Sequence, residues 1–251
     1  EINLGRLGEL SQSIQVKAAE FGVEDEGLDF IDESLIRISR KLGTIVNFID
    51  QDRPLRLVLL FENHSELRPS GGFAGSYGEL ILEKGSVRAL NVNDIYYPDT
   101  FLSLRIVPPL QLQTITPNWG ARDTGWFFDF TKSAPKLMEY LEASSIYEDE
   151  FDGVIALNVR VVENLLRLTG PVEVPEYGLK LDHRNFFSEV QKEVEEDKKP
   201  GETPIKVLQF AAPALIEALG NIDGSNKSKL LEVFVNGIHN KDMKFYFKDE
   251  A

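Results

Sequence analysis

The 251-residue chain is 42% apolar, with a formal net charge of −14 and a pI near 4.7. That apolar share is enough for a real core, while the acidity argues against a nucleic-acid partner, which is bound by concentrated lysine and arginine. No cysteine occurs, which excludes disulfides, thiolate-ligated metals and thiol nucleophiles. The three histidines, His64, His183 and His239, lack the helical pairing of a zinc site.

In the first fifty residues, Leu4, Leu7, Ser11, Ile14, Ala18 and Phe21 follow a three-four spacing. Leu28, Ile31, Leu35, Ile38, Leu42, Ile45 and Ile49 repeat it after a break at 22–27. This predicts a helical hairpin or stalk-like segment over residues 1–52, and residues 53–251 form the expected α/β core domain. No run of about eighteen apolar residues is present. The chain opens at Glu1 without a methionine, so a membrane or targeting segment is expected upstream.

From Pro54 the pattern turns to strands, at Leu55 to Phe61, Tyr77 to Glu83 and Ser86 to Val92, with Lys84-Gly85 as a hairpin turn. Asp94 to Pro109 reads as a long irregular loop of the kind that carries function. A helix is predicted over Ser133 to Leu141, capped by Ser133 or Thr131 with Pro135 in its first turn. Gly153 to Leu157, Val161 to Leu168 and Val172 to Val174 form a strand-helix-strand unit. Helices at Asn185 to Glu196, Ile205 to Leu219 and Lys227 to His239 follow, with a linker at 198–204 and a last strand at Met243 to Phe247. The class is α/β, a mixed-sheet α/β sandwich. Acidic runs at 24–33, 139–152 and 193–197 read as solvated surface, and none has calcium-loop spacing.

Two stretches carry candidate chemistry. The first empties a strand into Glu66-Leu67-Arg68-Pro69-Ser70-Gly71-Gly72-Phe73, delivering Arg68 beside glycines at a strand end. Gly71 and Gly72 allow close approach, so Arg68 and nearby backbone N–H groups could face an anion; the alternative is a tight turn between two strands. The second stretch, Arg122 to Phe130, sets Arg122 beside Asp123 and Asp129. A guanidinium fork matches phosphate oxygens and carboxylates can hold magnesium, whereas the competing reading is an ion pair fastening a loop onto the core. Convergence of Arg68 and Arg122 in space is the expectation, joined by Asp94 as a carboxylate and Asn91 and Asn93 as hydrogen-bond donors, unless these three are strand-end turn residues. No Gly-x-Ser-x-Gly elbow, phosphate loop or dinucleotide fingerprint occurs.

Four ordered runs carry a resemblance: Leu57 to Gly78, Arg122 to Phe130, Asp152 to Leu157 and Leu168 to Val174. They resemble an uncharacterised bacterial cell-envelope family, domain of unknown function 4012, and more distantly the LytR-CpsA-Psr family. The first likeness implies an extracytoplasmic domain, anchored through a membrane segment absent from this chain. The second implies the LytR-CpsA-Psr fold and transfer of glycopolymers from polyprenyl pyrophosphate, with magnesium. By that likeness Arg68, Arg122 and Asp123 are the pyrophosphate, catalytic and metal residues; the reading of the residues adds Asp94 as a further metal ligand and Gly71, Gly72, Asn91 and Asp129 as ligand contacts.

Two main readings follow. A non-catalytic binding or scaffold module of the envelope, touching glycan, lipid carrier or protein, predicts arginines paired internally and no cavity. A magnesium-dependent phosphotransferase predicts a deep pocket with an apolar tunnel. A third, structural reading has the helical hairpin packing on its own core or on another subunit.

Overall fold

The computed structural model describes residues 43–45, 48–103, 105–196 and 206–248. The chain divides into two compact units, Glu1–Pro54 with Glu83–Ser86, and Leu55–Leu82 with Val87–Ala251. In the first unit residues 43–45 and 48–49 are helical, and Lys84 Nζ lies 3.8 Å from Asp52. The expected helical hairpin lies almost wholly outside the described residues, as does the linker at 198–204.

The second unit is built on a five-stranded sheet of β1 (Leu55–Asn63), β2 (Phe73–Glu83), β3 (Ser86–Asp94), β4 (Gly153–Asn158) and β7 (Met243–Phe247), in the order β3-β2-β1-β4-β7. β1 runs antiparallel to β2, with Leu57 opposite Leu80, and parallel to β4, with Glu62 beside Asn158. β4 runs antiparallel to β7, with Ala156 opposite Lys244. The sheet is therefore mixed, as the alternation of strands and helices predicts. β1 lies at its centre and is buried on both faces, which explains why its sequence is continuously apolar rather than alternating. The β2–β3 hairpin turns on Lys84 and Gly85, at φ +48° and +72°, the pair of positive angles that a two-residue hairpin requires.

Helices cover both faces. On one, Val58 and Leu60 of β1 and Val154 and Ala156 of β4 meet Ala134, Leu137 and Leu141 of α1 (Phe130–Ala143). On the other, Phe61, Leu157 and Met243 meet α2 (Val159–Thr169), α3 (Phe186–Glu196), α4 (Lys206–Gly220) and α5 (Gly224–His239). The result is a three-layer α/β sandwich.

Two local expectations change. The cap of α1 is Asp129, whose carboxylate accepts from Thr131 N–H, so Ser133 and Pro135 fall inside the helix. The strand-helix-strand unit exists in order only, because β5 (Val172–Val174) pairs with β6 (Leu179–Leu181) in a separate two-stranded sheet. The three-residue strands at 172–174 and 179–181 form this short antiparallel ribbon around Gly178, at φ +59°, and β7 takes the place beside β4.

Candidate functional site

β1, β3 and β4 end on the same side of the sheet, because β3 returns alongside β2 and Ile95 N–H donates to Gly75 O. Two loops leave that end, residues 64–72 and 95–129. They are stitched together where Ser70 N–H donates to Gly125 O at 3.2 Å.

The 64–72 loop is a closed turn. Asn63 Oδ1 accepts from Ser65 N–H, Phe73 N–H donates to Glu66 O, and Gly71 N–H donates to Arg68 O. The N–H groups of Ser70 and Gly71 are therefore engaged inside the fold rather than facing an anion. Gly71 sits at φ +135°, and a methyl there would lie 2.7 Å from Lys244 Nζ; one on Gly72 would lie 2.6 Å from Asn63 O. Both glycines serve the tight turn, Gly71 where it closes on Lys244 of β7 and Gly72 where it closes on the end of β1. Arg68 stays at the surface, its guanidinium donating to Leu67 O and lying 4.8 Å from the Phe73 ring centre.

Arg122 is differently placed. Its Nη1 donates to Asp99 Oδ2 at 3.2 Å and its Nη2 to Thr116 Oγ1 at 3.1 Å. Asp123 Oδ2 lies 3.4 Å from its Nε, an ion pair without a hydrogen bond, and the guanidinium stacks 5.1 Å from the Tyr96 ring centre. All three nitrogens are occupied from within the chain. Asp99 also accepts from Ala121 N–H at 2.6 Å. Burial pushes the Asp99 carboxyl above its ordinary range, opposed by that N–H and by Arg122. Asp99, Thr116 and Arg122 all belong to the long loop, so these bonds close the loop on itself, where the ion-pair reading expected Arg122 to fasten it onto the core.

Arg68 and Arg122 do converge, on one recess of about 10 Å³ that Glu62, Ser70 and Phe130 also line, with room for about one water. The remaining predicted residues are engaged elsewhere. Asp94 closes its own turn by accepting from Tyr96 N–H, and burial raises its pKa. Asn91 Nδ2 donates across the hairpin to Glu79. Asp129 holds Thr131 through both its N–H and its hydroxyl, which keeps its carboxyl below the usual range. Among the described residues no three carboxylate or imidazole side chains gather at metal-ligand spacing. Asp94 and Asp123 both act on Asp99 as neighbouring negative charges, so the three carboxylates share this end of the sheet.

The sequence reading missed the residues that organise this end. Glu62, 2% exposed, follows a register slip in β1 at Phe61/Glu62, and its Oε2 accepts from Lys244 Nζ at 2.5 Å. Lys244 also donates to Ser70 O at 2.6 Å and lies 5.3 Å from the Phe130 ring centre. Glu62 Oε1 has no protein partner, and burial raises the carboxyl's pKa against the pull of Lys244. The signal was an acid at the buried end of an apolar strand and a lysine in an apolar last strand. Glu62 borders a second, larger cavity of about 150 Å³, lined by Phe61, Phe73, Val162, Phe186, Val190 and Leu208, with Asn63, Glu66, Ser76 and Gln191 as its polar groups.

A family model described as protein of unknown function (DUF4012) matches residues 52–194. The chain belongs to this family. The DUF4012 match takes in Glu62, Arg68, Asp99 and Arg122, and Lys244 lies beyond it. No curated protein matches. Among solved structures, gbs0355 from Streptococcus agalactiae shares 9% identity at a TM-score of 0.52, over 81% of this chain and 71% of its own. Lin1025 from Listeria innocua shares 10% at 0.46, over 78% and 72%, and B. subtilis TagV shares 10% at 0.45, over 79% and 76%. The expected likeness to LytR-CpsA-Psr-type proteins holds as a likeness of fold.

Proposed function

We propose that this domain is a non-catalytic binding module of the bacterial cell envelope, acting outside the cytoplasm and holding an amphiphilic envelope component such as a lipid carrier. Of the paired arginines and absent cavity expected of such a module, only the pairing of Arg122 is found, and the exposed Arg68 and the cavity depart from that expectation. The observation that carries the binding reading is the division of labour between the two arginines. Arg122 is held on all three nitrogens by Asp99, Thr116 and Asp123, whereas the Arg68 guanidinium lies at the surface beside the loop that borders an apolar cavity. An anionic head group would meet Arg68, and hydrocarbon would enter between Phe61, Val162 and Leu208. Envelope location rests on the family resemblance.

One observation favours phosphotransfer instead: Arg68 and Arg122 line the same recess. Under that reading a pyrophosphate would displace Asp99 or Asp123 from Arg122. Under that reading Asp94 and Asp123 would hold magnesium together with the pyrophosphate, and the ion would neutralise charge on its oxygens.

Both readings are separated by titrating a short-chain polyprenyl pyrophosphate into the wild type and the Arg68→Ala protein, with and without magnesium, while thermal melts verify folding. The module reading expects binding that Arg68→Ala weakens about ten-fold, the loss of one charge-assisted hydrogen bond, with the ligand recovered intact. Release of a phosphorylated product refutes it, and so does the absence of binding by folded wild type.

A further inference from the structure

The large apolar side chains most exposed in this structure are concentrated on the two loops at one end of the sheet. Phe128 is 89% exposed, Leu67 85%, Ile115 79% and Leu110 75%. Leu67 and Phe128 flank the stitch between Ser70 and Gly125, and Ile115 adjoins Thr116, which accepts from Arg122. Single exposed apolar residues are ordinary, but a concentration of four on joined loops marks an interaction surface.

The charge pattern points to the partner. In a chain with 41 acidic residues, the longest stretch free of aspartate and glutamate runs between Asp99 and Asp123, across this loop, and it carries Arg105. Arg68 and Lys132 stand exposed beside Leu67 and Phe128. Apolar side chains interleaved with cations, on a loop free of acidic residues from 100 to 122 and with Glu66 and Asp129 as the exposed carboxylates at its border, fit the boundary between phospholipid head groups and acyl chains. We infer that this end of the domain docks on an anionic lipid bilayer, inserting Leu67, Leu110, Ile115 and Phe128 while Arg68, Arg105 and Lys132 meet the phosphates. This inference is independent of what the cavity holds.

Flotation of the 251-residue chain with vesicles of phosphatidylcholine, and of phosphatidylcholine with about one-third phosphatidylglycerol, tests it, since neither vesicle contains a polyprenyl carrier. The wild type is expected to float with the mixed vesicles, more weakly with phosphatidylcholine alone, and less as salt rises. Leu67→Ser with Phe128→Ser, and separately Leu110→Ser with Ile115→Ser, are each expected to reduce partitioning at least ten-fold with unchanged melting. A wild type that stays with the protein fraction overturns the inference. So does vesicle binding that neither pair reduces, and so does self-association in light scattering that both pairs abolish without any vesicle binding, which would assign the surface to a second copy.

Discussion

Replacing Lys244 with alanine isolates a charged interaction inside the sheet's end. Lys244 Nζ reaches Glu62 Oε2 at 2.5 Å and Ser70 O at 2.6 Å, and Glu62 is 2% exposed with Oε1 already lacking a partner. Without the ammonium, a buried carboxylate loses its counter-charge and Ser70 O loses its donor. Breaking a buried pair from one side costs about 3–5 kcal/mol, far more than the pair itself contributes relative to a well-packed apolar replacement. For a chain of this size that corresponds to a fall in melting temperature of roughly 6–20 °C. The same substitution frees the 64–72 loop from β7, so flotation or ligand binding measured on this variant would also report loop position.

The pH dependence gives the sharper test. Burial raises the folded-state pKa of Glu62 above its unfolded value. The folded state therefore holds the proton more tightly, and the group's favourable contribution is present at low pH and fades as pH rises through the folded pKa. Lys244 opposes that rise, so its removal pushes the folded pKa higher and enlarges the penalty at neutral pH. Urea denaturation of wild type and Lys244→Ala at pH 5 and pH 7.5 should show a larger deficit at pH 7.5. A deficit under 1 kcal/mol, or one that does not grow with pH, would refute the buried-pair account. The double change Glu62→Leu with Lys244→Met, removing both charges, should recover most of the loss.

At Gly120 a methyl would lie 2.1 Å from Asp99 Oδ2, so Gly120→Ala must displace the carboxylate that accepts from Ala121 N–H and holds Arg122; the expected cost is about 1–3 kcal/mol by chemical denaturation, and an unchanged midpoint contradicts the fastening role of Asp99. Val162→Phe projects a ring into the cavity of about 150 Å³ beside Phe61 and Leu208 and is expected to abolish carrier binding while leaving the melting temperature equal or higher; retained binding would place hydrocarbon elsewhere.

The sheet was legible because its strands obey local rules. β1 is continuously apolar, the Lys84-Gly85 turn can adopt positive φ, and Met243 to Phe247 is bounded and short enough to be a strand. β5 was misplaced because three residues, Val172 to Val174, satisfy the strand pattern equally well in the main sheet or in a ribbon. Their partner, Leu179 to Leu181, is set by the turn at Gly178. Pro135 was read as a first-turn residue by the usual rule, but the capping carboxylate was Asp129, six residues earlier, so the helix starts before its proline. For the site, Arg68 and Arg122 were found from composition because arginine beside glycine and aspartate is unusual at a strand or helix end. Their convergence on one recess was an expectation that needed the fold. Glu62 and Lys244 were missed because they are 182 residues apart, Glu62 sitting just past the apolar run 57–61 and Lys244 being the one charge of an apolar strand. Only the parallel register of β1 with β4 and the antiparallel register of β4 with β7 bring them together.

Asp99 decides what Arg122 can do. In a site built to hold pyrophosphate, an arginine presents free guanidinium N–H groups to the ligand, because each new charge-assisted bond must exceed what water already supplied. Here the same groups meet a half-buried carboxylate, a threonine hydroxyl and a second carboxylate, so an anion arriving at Arg122 would have to outcompete two negative charges already in place. Asp99 in turn is fixed by Ala121 N–H at 2.6 Å and by the absence of a side chain on Gly120, and it cannot withdraw without opening the loop over residues 95–129. Among the described residues Arg68 has no such carboxylate partner; its guanidinium rests on the Phe73 ring and a neighbouring carbonyl. The physical distinction between a module that holds an anionic ligand and an enzyme that transfers one therefore reduces to whether loop opening releases Arg122 beside Arg68. Asp99→Asn tests that distinction directly. It keeps an oxygen for Ala121 N–H while removing the charge that holds Arg122, so tighter pyrophosphate binding by a folded Asp99→Asn protein would identify Arg122 as an anion site held shut, and unchanged binding would leave Arg122 as the fastener of the loop.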